Sequence, residues 1–212
     1  MHSRVSLGAR GKVGIKVMRG TGGAGVACYA PTGVRVGVGW RLRNLRYMVP
    51  GLWRVGIMRL FGLSGVIGKL SVRLMRGDGS VVDYGVVSLR VVTTAFVNFL
   101  VDQLQTETSE FGDLKYHDSG IGTTAAAVGD TDIETTDGES RATGTQTEGD
   151  STYEYRSVGT ISYTSTKAIT EHGIFTNSAG GTMADHHVFS AVNVVSGDSI
   201  QFTFDLEFPA GS

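Results

Sequence analysis

The clearest pattern of apolar and polar positions lies near the end of the chain, where apolar residues occupy every second position. A period of two places alternate side chains on the same face of a β-strand, so this face is expected to lie against a core. Each side chain buried there would contribute roughly 1.5–3 kcal/mol. The apolar positions of this predicted strand are Ile200, Phe202, Phe204, Leu206 and Phe208.

A second alternating segment predicts a β-hairpin. Leu70, Val72 and Leu74 alternate with polar residues, and the Gly-Asp-Gly sequence at residues 77–79 is typical of a tight turn. Residues 81–92 then continue as the second strand.

One helix is predicted at about residues 94–105, directly after this hairpin. Thr93 and Thr94 can cap its N-terminus, and the apolar residues that follow recur at helical spacing on a single face. We expect that face to pack on a sheet. Its apolar positions are Phe96, Val97, Leu100, Val101 and Leu104.

The second half of the chain predicts further short strands. Residues 114–121 and 153–163 are candidate strands, and the segments 168–175 and 182–195 flank a turn at residues 177–181. Several antiparallel strands with short turns and one helix favour a mainly β fold. We therefore predict an antiparallel β-sandwich or jelly-roll-like body.

The body is expected to span residues 66–212. Two segments of the chain, one inside this range and one before it, differ in composition from the predicted strands. Residues 123–150 are rich in Thr, Ala, Gly, Asp and Glu with a single Ile, and predict a long exposed loop. Residues 1–65 are rich in Gly and Arg and predict a weakly ordered extension, with a basic helix over residues 51–69 as the alternative.

Charge is distributed very unevenly along the chain. Residues 1–76 carry 14 of the 19 basic side chains and no acidic one, whereas residues 77–212 carry all 20 acidic side chains and a net charge of −15. Unopposed positive charge binds phosphate polymers or acidic protein surfaces. The residues expected to contact a polyanion or a protein partner are Arg35, Arg41, Arg43, Arg46, Arg54 and Arg59.

Size and cysteine content narrow the class of protein. With 212 residues and 41% apolar side chains, the chain can build a packed core, and Cys28 is its only cysteine, so no disulfide within the chain is expected. The most apolar stretch, residues 47–70, is interrupted by charged residues and a proline, and therefore does not predict a transmembrane helix. No signal peptide is expected near Met1.

Two short motifs have simpler explanations than the functions they suggest. Residues 20–25 match the glycine pattern of a dinucleotide-binding loop, but Pro31 and Gly33 follow where a helix is needed, and no acidic residue occurs before Asp78. The Arg-Gly-Asp sequence at residues 76–78 suits the tip of a hairpin. Acidic pairs such as Asp130 and Asp132 fall in the polar loop, where nothing would desolvate them and shift their pKa, so we expect no catalytic site. We also expect no bound cofactor.

A cluster of histidines and acids is the one candidate for metal binding. Across the predicted hairpin, Glu171 and His172 would lie near His186 and Asp185, and imidazole and carboxylate groups can together bind Zn²⁺. Adjacent residues on a strand point to opposite faces, however, so about half of these groups can converge. We expect no metal, and hydrogen-bonded surface or subunit-contact histidines instead.

Several segments of the chain also resemble a known family. They are residues 83–88 (DYGVVS), 91–94 (VVTT), 114–117 (LKYH), 169–175 (ITEHGIF), 188–194 (VFSAVNV) and 197–202 (GDSIQF). Over about residues 66–211 the chain is similar to a family of poorly characterised virion structural proteins of tailed bacteriophages, and a related pattern occurs in tail-fibre and baseplate-associated proteins. Asp185-His186-His187 stands where this family pattern has Asp-Arg, and residues 1–65 have no counterpart in it.

The resemblance implies a non-enzymatic virion protein, namely a capsid decoration or cement protein that docks on the major capsid protein. A tail-fibre or baseplate-associated module is the alternative, and nucleic-acid binding through residues 1–76 is a second one. The class also implies that the protein is a homo-oligomer, that it is located in the virion and that it does not contact a membrane. Whether residues 1–65 are native stays open, with Met58 and Met75 as later candidate starts.

Overall fold

The fold is described from a computed structural model, which describes residues 34–60, 66–90, 92–105 and 114–208. All of these residues belong to the unit that begins at Pro31. The glycine motif at residues 20–25 and Cys28 lie outside them. The elements are β1 (Val34–Arg35), α1 (Val38–Leu60), β2 (Ile67–Met75), β3 (Val81–Arg90), α2 (Thr94–Gln105), β4 (Tyr116–Gly120), β5 (Ala142–Thr143), β6 (Thr145–Glu148), β7 (Glu154–Ser162), β8 (Lys167–Phe175), β9 (Met183–Val194) and β10 (Ser199–Glu207).

The described strands form two sheets, as the prediction of a mainly β fold requires. Sheet A has six strands in the order β1-β3-β2-β10-β7-β6, and sheet B has four in the order β5-β4-β8-β9. All neighbouring strands are antiparallel except β1 and β3. Apolar residues of both sheets share one buried cluster, so the architecture is β-sandwich-like.

Strand β10 lies in the middle of sheet A and confirms the predicted alternation from Ile200 to Leu206, whereas Phe208, the last predicted position, lies just past the strand and is exposed. Ile200, Phe202, Phe204 and Leu206 are all buried, and they point away from Asp205, which lies on the opposite face of the strand. Asp205 is also buried, because Lys69 and Arg156 on the two neighbouring strands bind its carboxylate.

The predicted turns and the predicted helix are also present. In the β2–β3 turn the backbone N–H of Gly79 donates to the carbonyl of Arg76, which is the turn chemistry expected for the Arg-Gly-Asp sequence. Helix α2 spans Thr94–Gln105, and Thr93 caps it by accepting a hydrogen bond from the backbone N–H of Phe96. The predicted apolar face is wrong in part, because Phe96 is buried whereas Val97 and Val101 are exposed.

Helix α1 differs from the expectation of little stable structure before residue 66. Two long-range anchors hold it to the body: Trp40 Nε1 donates to the carbonyl of Ala191, and the Asn44 amide donates to the carbonyl of Val87 and accepts from the backbone N–H of Ser190. The expectation is therefore corrected for residues 34–60, and the chain has two described helices instead of one.

A glycine allows α1 to approach strand β3 closely. At Gly51, a Cβ atom would overlap the carbonyl group of Leu89, so no larger residue fits this contact without a shift of the helix. Glycine content counts against a helix in the sequence. At this position it is instead what lets the helix pack on the sheet.

The segment 123–150 is less detached than its composition suggests. Many of its side chains are exposed, but it contributes β5 and β6 to the two sheets, and the backbone N–H of Ile121 donates to the carbonyl of Thr135. The segment thus folds back over sheet B, because its backbone N–H groups satisfy a carboxylate that the sheet buries.

Candidate functional site

The hairpin of β8 and β9 separates the four predicted metal candidates into two pairs. In its register His172 lies opposite His187, and Gly173 lies opposite His186. Alternation therefore places Glu171 and His186 on the outer face of sheet B, and His172 and Asp185 on the face toward sheet A. The structure brings together Glu171 with His186, but not all four residues.

The outer pair is part of a hydrogen-bonded cluster that fastens the segment 121–135 to the sheet. Glu171 is fully buried, and its carboxylate lies 3.0 Å from Nε2 of His186. It also accepts from the backbone N–H groups of Gly122 (2.7 Å), Thr135 (2.9 Å) and Glu134 (3.0 Å). These bonds satisfy a carboxylate that would otherwise be costly to bury.

His186 bridges two carboxylates. Its second ring nitrogen, Nδ1, lies 2.6 Å from Oδ2 of Asp130. Only the doubly protonated imidazolium can donate to both acceptors at once. The ring is therefore held as a cation between Asp130 and Glu171.

The protonation of this cluster follows from its contacts. Burial opposes the charge on His186, but its hydrogen bonds to Glu171 and Asp130 raise its pKa above the ordinary value. Burial alone would raise the pKa of Glu171, yet the hydrogen bonds from His186 and from the three backbone N–H groups hold that pKa below its ordinary value. The contacts within the cluster therefore favour the charged form of both groups.

His186 also borders a cleft of about 310 Å³ between α1 and the segment 126–128. Arg54 and Thr93 are among the other lining residues. Because both ring nitrogens of His186 are already engaged, the imidazolium has no N–H group left for a ligand. In this arrangement the hydrogen bonds of the cluster hold the loop against the sheet.

A second polar cluster is enclosed between the sheets. Nδ1 of His117 lies 3.0 Å from Nε2 of His172, and Nε2 of His117 lies 2.9 Å from the hydroxyl of Ser157. The ring of His172 also stacks on Phe202, with 4.5 Å between the ring centroids. His187 and Asp185, both fully buried, continue this polar row, with 3.5 Å between Nε2 of His187 and Oδ2 of Asp185.

His117 and His172 of the inner cluster are neutral. Burial lowers the pKa of His117 to about 3. Burial, with the nearby His117, His187 and His186, holds the pKa of His172 well below its ordinary value. His117 and His172 are therefore uncharged rings joined by a hydrogen bond, unlike His186 on the other face of the sheet.

Two glycines of sheet A make room for the inner cluster. A Cβ atom at Gly159 would overlap the ring of His117, and one at Gly68 would overlap the carboxylate of Asp185. The polar residues of sheet B thus fit into gaps that the facing strands leave. Among residues 34–60, 66–90, 92–105 and 114–208, no group of three or more His, Cys, Asp or Glu side chains is arranged to hold a metal ion.

The predicted arginine contacts lie mainly on α1. Arg35 is exposed in β1, and Arg41, Arg43, Arg46 and Arg54 are exposed on the helix. The guanidinium of Arg46 lies over the ring of Tyr47 and donates to its hydroxyl. Arg59 belongs to α1, but its side chain lies outside the described residues.

Helix α1 exposes an apolar face that sequence reasoning missed. Trp40, Asn44 and Gly51 face the body, whereas a row of large apolar side chains faces outward, including Leu42 (62% exposed) and Trp53 (70% exposed). A helix that is apolar on its solvent side is expected to be covered by another surface. The outward apolar residues are Val38, Leu42, Leu45, Val49, Leu52 and Trp53. We call this set the outer face of α1.

A second open surface lies at the far edge of sheet A. Tyr153 and Phe208, which are 52% and 42% exposed, line a groove of about 600 Å³ beside strand β6. Gln146 and Glu148 belong to the same lining. We call this surface the β6 groove.

Comparisons with known proteins give no assignment for this arrangement. No protein-family model, no curated protein and no solved structure matches the chain. Among the described residues, no helix is both long enough and apolar enough to cross a membrane.

Proposed function

We propose that this protein is a non-enzymatic structural component of a tailed-bacteriophage virion, and that it is a capsid decoration protein docking on the shell. The proposal takes up the resemblance of segments between about residues 66 and 211 to phage virion structural proteins, which is an expectation from the sequence. A jelly-roll-like topology of the two-sheet body belongs to the same proposal. The major capsid protein is the expected partner.

The outer face of α1 is the single observation that carries this proposal. A helix anchored to its own body by Trp40 and Asn44 has its orientation fixed, so it cannot turn its apolar side inward. Within the part of the chain that the structure describes, nothing covers Leu42, Val49 and Trp53, so they remain in water unless a further surface packs on them. Fully burying each such side chain is worth roughly 1.5–3 kcal/mol. This is the surface expected of a protein that functions by assembly.

The polar clusters fit a structural role as well. Glu171 and His186 join a loop to a sheet, and His117 joins two sheets through His172 and Ser157. Each of these side chains is engaged in contacts that hold the body together. Under this proposal their function is to fix the fold that presents α1.

A tail-fibre or baseplate-associated module is the alternative within the same class. Both assignments use the same body and differ in the partner that the protein meets. Binding to isolated tails but not to shells would favour this alternative.

Nucleic-acid binding is a second candidate function, favoured by the exposed arginines. Arg41, Arg43, Arg46 and Arg54 project from a segment without a single acidic residue. Binding through such charges weakens steeply as salt rises. The apolar residues between these arginines favour a protein surface instead, because phosphate binding leaves them uncovered.

The experiment that tests the proposal is co-sedimentation of the full chain with empty shells and with isolated tails of the source virus. A matched variant, Val49→Asp, places a charge on the outer face of α1, and Val101→Asp places one on the exposed side of α2 as a control. We expect saturable binding of the native chain and of Val101→Asp, and loss of binding for Val49→Asp. Binding to neither particle, together with DNA binding that salt abolishes, would replace the proposal with the nucleic-acid function.

A further inference from the structure

We infer that copies of this chain associate head to tail, with the outer face of α1 of one copy seated in the β6 groove of the next. The inference rests on the proposed function: it assigns the outer face of α1 to the contact between copies, so that the assembled copies dock on the shell together and the effect of Val49→Asp on shell binding acts through this assembly. Four observations support this pairing: the composition of the helix face, the composition of the groove, their positions in the fold and their charges.

The helix face offers apolar and basic groups together. Val38, Leu42, Leu45, Val49 and Leu52 follow one another at spacings of four and three residues, which places them along one side of the helix. The exposed arginines of α1 lie in the same 23-residue helix, which contains no acidic residue. The partner surface must therefore be apolar in the middle and acidic around it.

The β6 groove offers the complementary groups. Tyr153 and Phe208 supply exposed aromatic surface, and Tyr155 and Glu148 line the same groove. The two basic residues near this edge, Lys69 and Arg156, are already paired with the buried Asp205 and Glu154, and Arg156 also pairs with Asp150. Glu148 and Glu207 add further negative charge at this edge.

One acidic residue at this edge is placed to meet an incoming cation. Glu207 lies directly opposite Glu154 on the neighbouring strand. Glu154 is buried and already forms ion pairs with Lys69 and Arg156 of the same chain. Glu207 is therefore the member of the pair that an arginine from the helix of another copy would approach.

The two surfaces lie at opposite ends of sheet A. Helix α1 is anchored over β3, near one end of the strand order, whereas β6 is the other end. Strands β2, β10 and β7 lie between β3 and β6, so the two are about 19 Å apart at about 4.8 Å per strand. The groove of the same copy is therefore not the site of its own helix, and a second copy must supply it.

Charge also selects between the two ways in which copies can join. If the outer faces of two α1 helices packed on each other, arginines would meet arginines. Packing helix on groove joins unlike charges instead. Such a head-to-tail contact repeats from copy to copy, and it gives a closed ring where the rotation per copy closes.

Sedimentation velocity of the full chain and three double variants tests the inference. The helix variant is Leu45→Asp/Val49→Asp, the groove variant is Tyr153→Lys/Phe208→Lys, and the control, Val97→Asp/Val101→Asp, alters exposed apolar residues of α2. We expect the native chain and the control to associate equally, and the helix and groove variants each to weaken self-association at least about tenfold in Kd.

The decisive sample is a 1:1 mixture of the helix variant and the groove variant. The groove variant keeps a native helix face, and the helix variant keeps a native groove. One copy of each can therefore form a dimer with native affinity, but no larger species can form. Two results would overturn the inference: a mixture that stays monomeric, or a native chain that is monomeric and instead binds vesicles containing anionic lipid.

Shell and tail co-sedimentation of the same samples separates this inference from the proposed function. A chain that stays monomeric but binds shells or tails contradicts the head-to-tail contact and leaves the virion role intact. A chain that shows rescue in the mixture but binds neither particle contradicts the virion role and leaves the contact intact.

Discussion

Nε2 of His186 lies 3.0 Å from Oε2 of Glu171, and this pair links strand β9 to strand β8 beneath a loop that covers both. The carboxylate of Glu171 also accepts the backbone N–H groups of Gly122, Glu134 and Thr135. A single buried side chain thus fixes the course of a loop whose composition alone predicts an exposed segment.

Replacing Glu171 by Gln is expected to destabilise the chain by about 3 kcal/mol. The amide cannot accept all the hydrogen bonds of the carboxylate, and it leaves the charge of His186 with one counterion fewer. Urea denaturation measures the change in the free energy of unfolding. Glu148→Gln, at an exposed position, serves as the control and should stay within about 0.5 kcal/mol of the native value. Equal stability of the two variants would contradict the role of Glu171.

His186 is expected to make the chain less stable as pH rises. Its pKa is raised in the folded chain above the ordinary value of 6.5. Its contribution is therefore complete below about pH 6.5 and is lost as pH rises through the raised pKa, by up to about 1.4 kcal/mol per pH unit. Denaturation as a function of pH should show that His186→Gln lacks this alkaline loss. If the variant lost stability with rising pH as steeply as the native chain, His186 would not be held as a cation between Asp130 and Glu171.

His117 should have the opposite effect on the acid side. Its pKa is about 3 in the folded chain, whereas in the unfolded chain it takes up a proton near pH 6.5. Stability is therefore lost as pH falls from about 6.5 toward 3, by up to about 1.4 kcal/mol per pH unit from this residue. His117→Gln should reduce the acid slope by that amount even if it lowers stability at pH 7. An unchanged acid slope would place a charged or exposed histidine at this position.

Gly159 and Gly129 form a matched pair of substitutions for the inner cluster. A methyl group at Gly159 would overlap the ring of His117, whereas one at Gly129 would meet nothing within 4 Å. Gly159→Ala should cost about 1–3 kcal/mol, as overpacking of a core does, and Gly129→Ala about 0.5 kcal/mol or less. Thermal denaturation of both variants checks this difference. A tolerated alanine at Gly159 would contradict the close approach of the two sheets there.

Gly51 and Gly56 test the docking of α1 in the same way. Gly51→Ala would meet the carbonyl of Leu89 and should destabilise the contact by about 1–3 kcal/mol, whereas Gly56→Ala, in open space, should stabilise the helix by about 0.5–1 kcal/mol. Trp40, which is buried against the body at the start of the same helix, reports the docking of α1 by fluorescence. Stabilisation by both alanines would mean that α1 is not packed on β3.

Local patterns predicted the parts of the fold that depend on neighbouring residues. The alternation from Ile200 to Phe208 predicts β10, and the threonines before Phe96 predict the start of α2, because these signals lie within a few residues of each other. The strand alternation also predicts that Glu171 and His172 cannot serve the same site.

The features that the sequence did not reveal depend on distant partners. Asn44 anchors α1 through Val87 and Ser190, which lie 43 and 146 residues away. His117 meets Ser157 and His172 across 40 and 55 residues, and no periodicity within one strand can indicate such a pairing. Asp130 was expected in solvent because its loop is polar, yet that loop folds onto His186.

The 3-4 spacing of Val38, Leu42 and Leu45 was present in the sequence and could have predicted a helix. Glycines nearby and the general glycine content of residues 1–65 favoured a weakly ordered segment instead. The structure shows that Gly51 belongs to the contact with the sheet. The low helix propensity of these glycines is outweighed by the packing of α1 on the sheet.

The most direct test of the central claim is cryo-electron microscopy of empty shells and isolated tails, taken from the phage to which the proposal assigns the chain, after incubation with the full chain. The account predicts ordered density at symmetry-related positions on the shell, into which the two-sheet body fits with the outer face of α1 covered by protein. Bare shells and bare tails at saturating protein, or density in which that face points into solvent, would contradict it.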